Sequence, residues 1–247
     1  MIHTLIERTD QVDVMFVGAH PDDLEIACGG TIAALGELGY RVGMIDLTDG
    51  EPTPNSPGPD SRLAEAKAAG DVLGVALRKV LPLPNRRLFD GFEERVLLAK
   101  EFRRYRPRLV VGFGNKTPLA SPDHYQAMLI TDAAIFFARL SKWDEHFDGL
   151  PIHAIDKQLY FRLEFDRAPV PGYPNEIVMD ISRTLEKKME SIRCYPSQFP
   201  EHKSHVLESV RGIAIAAGTA IGVKAGEVFT SVRPLGTSDL LRSVGLA

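Results

Sequence analysis

One junction constrains this chain more than any other. The apolar run Val12 to Val17 stops at Gly18-Ala19-His20-Pro21-Asp22-Asp23-Leu24-Glu25. Beyond it, apolar residues recur at helical spacing: Leu24, Ala27/Cys28, Thr31/Ile32, Leu35 and Leu38. The polar cluster therefore lies where a buried strand ends and a helix begins. In open parallel sheets, ligands bind outside the carboxyl ends of the strands. Pro21 fixes its own φ and pushes His20 towards extended geometry, so the chain bends there.

Metal-assisted hydrolysis suits this composition. A divalent ion in a hydrolase takes about three protein ligands from His, Asp or Glu and keeps one position for water. The chemistry also needs a base that is not itself a ligand. His20-Pro21-Asp22-Asp23 can supply two ligands and one base from a single turn. Adjacent side chains point in different directions, so the two aspartates are not equivalent towards one ion. The competing reading is a helix start, with Asp22 and Asp23 favoured by the helix dipole and His20 packed in the strand. An Asp pair alone would favour that reading, but His-Pro-Asp-Asp-x-Glu at a strand end favours metal chemistry.

The first half alternates strand and helix. Strands are expected at Val12–Val17, Arg41–Leu47, Arg78–Leu83 and Arg108–Gly112, with helices at Leu24–Leu38, Ser61–Leu73 and Asp90–Tyr105. The last helix opens with Asp90-Gly91-Phe92-Glu93, a capping-box spacing. This order implies an α/β fold with a doubly wound, Rossmann-like, mostly parallel sheet flanked by helices. Residues 49–60 carry four prolines and two glycines, which excludes a helix or central strand. They form a loop on the rim that carries His20, either a lid or plain surface.

A second polar cluster follows the fourth strand. Ser121 suits an N-cap and Pro122 the first helical position, which puts Asp123 and His124 in the first turn of another helix. His124 then rises from the same rim as His20 and Asp23. Later, short strands are expected at Lys157–Leu163, Glu176–Met179 and Glu227–Val232. Helices are expected from Asp180/Ser182 to Arg193 and over Lys203–Ile221. This divides the chain into a catalytic part, 1–150, and a smaller C-terminal α+β part, 151–247, packed on it within one structural domain.

The run Ala19-His20-Pro21-Asp22-Asp23-Leu24-Glu25, with Gly29-Gly30-Thr31, resembles the signature of the PIG-L/LmbE family of zinc-dependent N-acetylglucosamine deacetylases. Ser121-Pro122-Asp123-His124 approximates that family's His-Pro-Asp-His. Leu81-Pro82-Leu83-Pro84-Asn85 and Tyr195-Pro196-Ser197-Gln198-Phe199 look most like its bacillithiol-biosynthesis branch, whose members remove acetate from N-acetylglucosaminyl-malate. The resemblance implies that His20, Asp23 and His124 hold Zn²⁺ and that Asp22 is the general base. It also implies sugar contacts at Arg62 and at Asn85, where the family usually has Asp. Glu25 and Asp123 would orient ligands. Two histidines and one carboxylate suit Fe²⁺ as well. Ser121 replaces a histidine that donates to the oxyanion in the family. Lys116, Tyr125, His146 and His153 are the candidates to supply that donor instead.

Composition narrows the partners. The net charge is −4 with no basic block, which argues against nucleic acid or an anionic membrane. No 18-residue apolar run exists, and Met1 to Asp10 lacks the pattern of a signal peptide. Cys28 and Cys194, far apart and outside any CxxC, read as reduced thiols of a cytoplasmic protein. A small N-acetyl amino sugar conjugate is the expected partner, bound by a homo-oligomer.

Overall fold

The computed structural model describes residues 1–163, 175–236 and 238. Residues 164–174, 237 and 239–247 of the expected C-terminal part lie outside the described residues. In chain order the elements are β1 (His3–Glu7), β2 (Val14–Gly18), α1 (Asp23–Glu37), β3 (Val42–Thr48), α2 (Pro59–Leu73), β4 (Leu77–Leu83), α3 (Phe92–Tyr105) and β5 (Leu109–Phe113). There follow α4 (Asp123–Ala138), β6 (Lys157–Phe161), β7 (Glu176–Asp180), α5 (Leu185–Arg193), α6 (Ser204–Thr219) and β8 (Gly226–Ser231).

The strands form one eight-stranded sheet, ordered β1-β4-β3-β2-β5-β6-β8-β7. Its centre, β4-β3-β2-β5-β6, is parallel, and β1, β8 and β7 join antiparallel. This is the expected α/β architecture. The apolar runs explain the centre: every residue of β2 and β3 is buried, as strands covered on both faces must be. Helices α1, α2 and α5 pack together, as do α3 and α4. From β2 the chain steps outward through β3 and β4, then returns to β5 on the other side. That reversal opens a crevice at the carboxyl ends of β2 and β5.

Three local expectations change. Strand β1 was not foreseen, because HTLIE is short and pairs only with β4 at the sheet edge. The capping box of α3 does not form. Asp90 instead takes Arg95 in a bidentate pair, with Arg95 Nε donating at 2.7 Å, and the helix starts after Gly91. The helix after Asp180 caps at Thr184, because Asp180 turns on Ser182, accepting its N–H at 2.8 Å and its hydroxyl at 2.6 Å. Among the described residues no helix is long and apolar enough to cross a membrane.

Candidate metal centre

The β2–α1 junction shapes the first half of the site. Asp23 starts α1 and turns its carboxylate back onto the chain. Its Oδ2 accepts the N–H of Ala19 at 3.0 Å and of His20 at 2.9 Å. Asp22, at the cap, has φ 120, a left-handed-side geometry that side chains rarely adopt. Strain of this kind costs about 1–3 kcal/mol and collects at functional sites. It separates the two aspartates: Asp23 turns inward, while Asp22 lines the cleft with its side chain 15% exposed.

The β5–α4 junction supplies the second half. Pro122, expected as the first helical residue, stands at the N-cap with helical dihedrals, and Ser121, expected at the cap, lies one residue before it, its Oγ accepting the N–H of Asp123 at 3.3 Å. His124 stacks on Phe113 with ring centroids 4.8 Å apart. Its Nε2 stands 3.4 Å from Asp23 Oδ1, and His20 Nδ1 stands 3.5 Å from Asp23 Oδ2. One ligand atom from each of His20, Asp23 and His124 can be chosen so that all lie within 4.8 Å of one another.

Those two distances end on different oxygens of Asp23, and both exceed the length of a charged hydrogen bond, about 2.7–2.9 Å, so the three groups gather closely enough to share an ion. Two imidazoles and a carboxylate, mostly buried, are also the donor set of a catalytic zinc or Fe²⁺ site. Asp123 receives the far side of His20, with Oδ2 3.2 Å from Nε2, which leaves Nδ1 towards the site. The same oxygen accepts the N–H of Arg86 at 2.6 Å.

Electrostatics separates the groups further. Burial pushes the Asp22 carboxyl up to about 7; Arg62 opposes this and Asp23 adds to it. Burial also works against an ionised Asp23, but His124 and His20 outweigh it and hold that carboxyl far below the usual range. Burial tends to lower His20, yet hydrogen bonds to Asp123 and Asp23 raise it to about 10. Asp123 is lowered despite burial, chiefly by His20.

A cleft of about 310 Å³ joins these residues. His20, Asp22, Asp23, Arg62, Asn85, Ser121 and His124 line it, together with Thr53 of the 49–60 loop, Gln198 and Phe199 of the 195–199 segment, and Arg86, which the sequence had not marked. Arg62 is 1% exposed and committed to the protein. It donates to the Pro21 carbonyl, stands 3.8 Å from Asp22 and 3.5 Å from Glu65, and reaches Ser197 Oγ at 3.4 Å. The 49–60 loop forms part of the wall through Gly50 and Thr53, and Gln198 Nε2 donates to Thr53 Oγ1 at 3.1 Å.

Other expectations need correction. Among the described residues, no hydrogen bond or ion pair joins Glu25 to His20, Asp23 or His124. It is buried against Arg78, which also holds Asp46 at 2.9 Å, and accepts the Tyr195 hydroxyl at 2.7 Å. A buried arginine draws both carboxylates away from the cleft. None of the four substitute oxyanion donors lines the cleft. Lys116 lies over the Tyr125 ring, His146 packs on Phe92 and Trp143, and His153 Nε2 is 2.7 Å from the Pro107 carbonyl.

Known proteins resemble this chain in sequence and in fold. The family profile PIG-L, described as GlcNAc-PI de-N-acetylase, matches residues 15–135, a span that holds His20, Asp22, Asp23 and His124. A diacetylchitobiose deacetylase of Thermococcus kodakarensis is 30% identical over 229 residues, covering 88% of this chain and 82% of that one. The conserved protein TT1542 of Thermus thermophilus superposes with a TM-score of 0.80 at 28% identity, over 93% of this chain and 99% of that one. A 4-oxalmesaconate hydratase of Pseudomonas putida is 26% identical over 253 residues, covering 96% and 91% of the two chains. The chain belongs to the PIG-L family.

Proposed function

We propose that this protein is a zinc-dependent N-deacetylase that removes acetate from a small N-acetylglucosaminide, N-acetylglucosaminyl-malate being the preferred conjugate. The observation that carries this reading is the convergence of His20, Asp23 and His124 beside an Asp22 that lines the same cleft without joining them. The family and the deacetylase relative support the reaction class. The malate conjugate rests on Leu81 to Asn85 and Tyr195 to Phe199, two segments that line the cleft through Asn85, Gln198 and Phe199.

His20, Asp23 and His124 would hold the ion, which supplies polarisation of the acetamide carbonyl and a more acidic water. Asp22 takes the proton from the attacking water and returns it to the sugar nitrogen as acetate leaves. A carboxyl near neutrality suits both halves of that cycle, and burial raises Asp22 into that range. Arg62 fixes the Pro21 carbonyl and so the turn that aims Asp22. Asn85 offers its amide to a sugar hydroxyl, and Asp123 keeps the His20 ring oriented.

The experiment measures acetate release by zinc-loaded protein from N-acetylglucosaminyl-malate, diacetylchitobiose and methyl N-acetylglucosaminide. Metal content and hydration of an unsaturated dicarboxylate are assayed on the same sample. Acetate release with the malate conjugate favoured is expected. Hydration without acetate release would overturn the proposal.

A further inference from the structure

Arg86 is an exposed arginine that the chain has fixed in place. It sits third in the turn Pro84-Asn85-Arg86-Arg87, which the Arg87 N–H closes onto the Pro84 carbonyl at 3.2 Å. At that position its φ is 63, in the left-handed region. Turns of this kind favour glycine there, because a Cβ crowds the backbone. The backbone is held too: the Arg86 N–H donates to Asp123 Oδ2 at 2.6 Å, the oxygen that also meets His20 Nε2 at 3.2 Å. The turn would accept a glycine at lower cost, yet a large cation stands at the cleft.

The cleft has two arginines with opposite commitments. Arg62 is buried and surrounded by Pro21, Asp22, Glu51, Glu65 and Ser197. The Arg86 guanidinium makes no ion pair or hydrogen bond among the described residues; only its backbone N–H is engaged. An arginine fork is built for two-point capture of a carboxylate. The acidic residues lining the cleft, Asp22 and Asp23, would repel such a group, and of the two arginines there only Arg86 has a guanidinium uncommitted among the described residues.

We infer that Arg86 is the specificity-determining residue of this site, reading a carboxylate on the aglycone of the substrate while Asp22 and the ligand triad act at the acetamide. This rests on the deacetylase reading for the reaction, but not for the binding. Arg86 touches no reacting atom in this scheme. Its loss should therefore raise KM for an anionic substrate and leave kcat in place.

The test compares the wild type, Arg86→Gly and Arg86→Lys, all zinc-loaded. Glycine suits the φ of the turn, so Arg86→Gly keeps the Asp123 contact and the fold, checked by unchanged zinc content. KM for N-acetylglucosaminyl-malate should rise about 10- to 100-fold, the worth of a charge-assisted bidentate contact, while methyl N-acetylglucosaminide changes less than about twofold. Arg86→Lys should recover part of the loss, and the wild-type preference should weaken as salt is raised. Calorimetric binding of glucosaminyl-malate against methyl glucosaminide provides a readout without turnover. If the wild type releases no acetate but binds the malate conjugate better in an Arg86-dependent way, the deacetylase proposal falls and this inference stands. Equal losses on the charged and neutral compounds, or a wild type with no preference for the charged one, overturns it.

Discussion

Asp22 and Asp23 are neighbours with the same side chain, yet their carboxyls move in opposite directions. Two imidazoles and two backbone N–H groups face Asp23, whereas Asp22 is desolvated beside one arginine at 3.8 Å. That split is how two like groups acquire different tasks. Asp22→Asn should keep zinc and lower turnover by about 10²-fold or more. Loss of zinc from that variant, measured by elemental analysis, would mean the two roles are exchanged. Ser121 marks the other residue-scale question. It lines the cleft at the position where the resembling family has a histidine, and removal of one oxyanion donor costs about 10²–10³ in turnover. Ser121→His should therefore raise acetate release at least about tenfold. No rise would show that a group already in the cleft supplies the donor. The sequence was most legible at this scale, because His20, Asp23 and His124 each sit close to a strand end or helix start. Glu25 was misread because its partner, Arg78, lies in a strand where a buried guanidinium leaves no periodic trace.

At the scale of elements, α1 shows why Gly30 follows the polar cluster. Helix α1 is buried from Asp23 to Ala33, wedged against α5 and β8. A Cβ on Gly30 would lie 2.6 Å from Ile181 Cδ1, and the Gly30 N–H meets Glu227 Oε1 at 3.0 Å. Glu227 in turn pairs with buried Lys188 at 2.6 Å, tying β8 and α5 to the helix that carries Asp23. Gly30→Ala should thus destabilise, since overpacking costs about 1–3 kcal/mol against a helix-propensity gain of about 1 kcal/mol. Gly212 in α6 is the control, because a Cβ there would meet nothing within 4 Å. Gly212→Ala should gain about 1 kcal/mol. Urea unfolding at fixed zinc separates the two. Equal gains would mean that the α1 contact yields without strain. The central strands and long helices could be read from period and apolar runs. The edge strand β1 and the Asp90–Arg95 pair could not, since both depend on partners far along the chain or on competition for one side chain.

At the scale of the molecule, the site belongs to neither half of the sheet. His20 and Asp23 come from the β2–α1 junction and His124 from β5–α4, on either side of the point where strand order reverses. An ion held by all three residues bridges two βα units that are far apart in sequence, so its binding energy should appear as stability of the whole fold. A ligand at 100 times its dissociation constant contributes about 2.7 kcal/mol. In a domain of this size that corresponds to about 5–10 °C in Tm. Chelation should lower Tm by this amount, and added zinc should restore it. Asp22→Asn should keep the full shift, because the proposed ligands are His20, Asp23 and His124. His124→Ala should lose most of it, because the β5–α4 side is then no longer tied in. If chelation leaves the wild-type Tm unchanged while acetate release stops, the ion acts at the cleft without joining the two halves. If His124→Ala keeps the full shift, the β2–α1 turn binds the ion without His124.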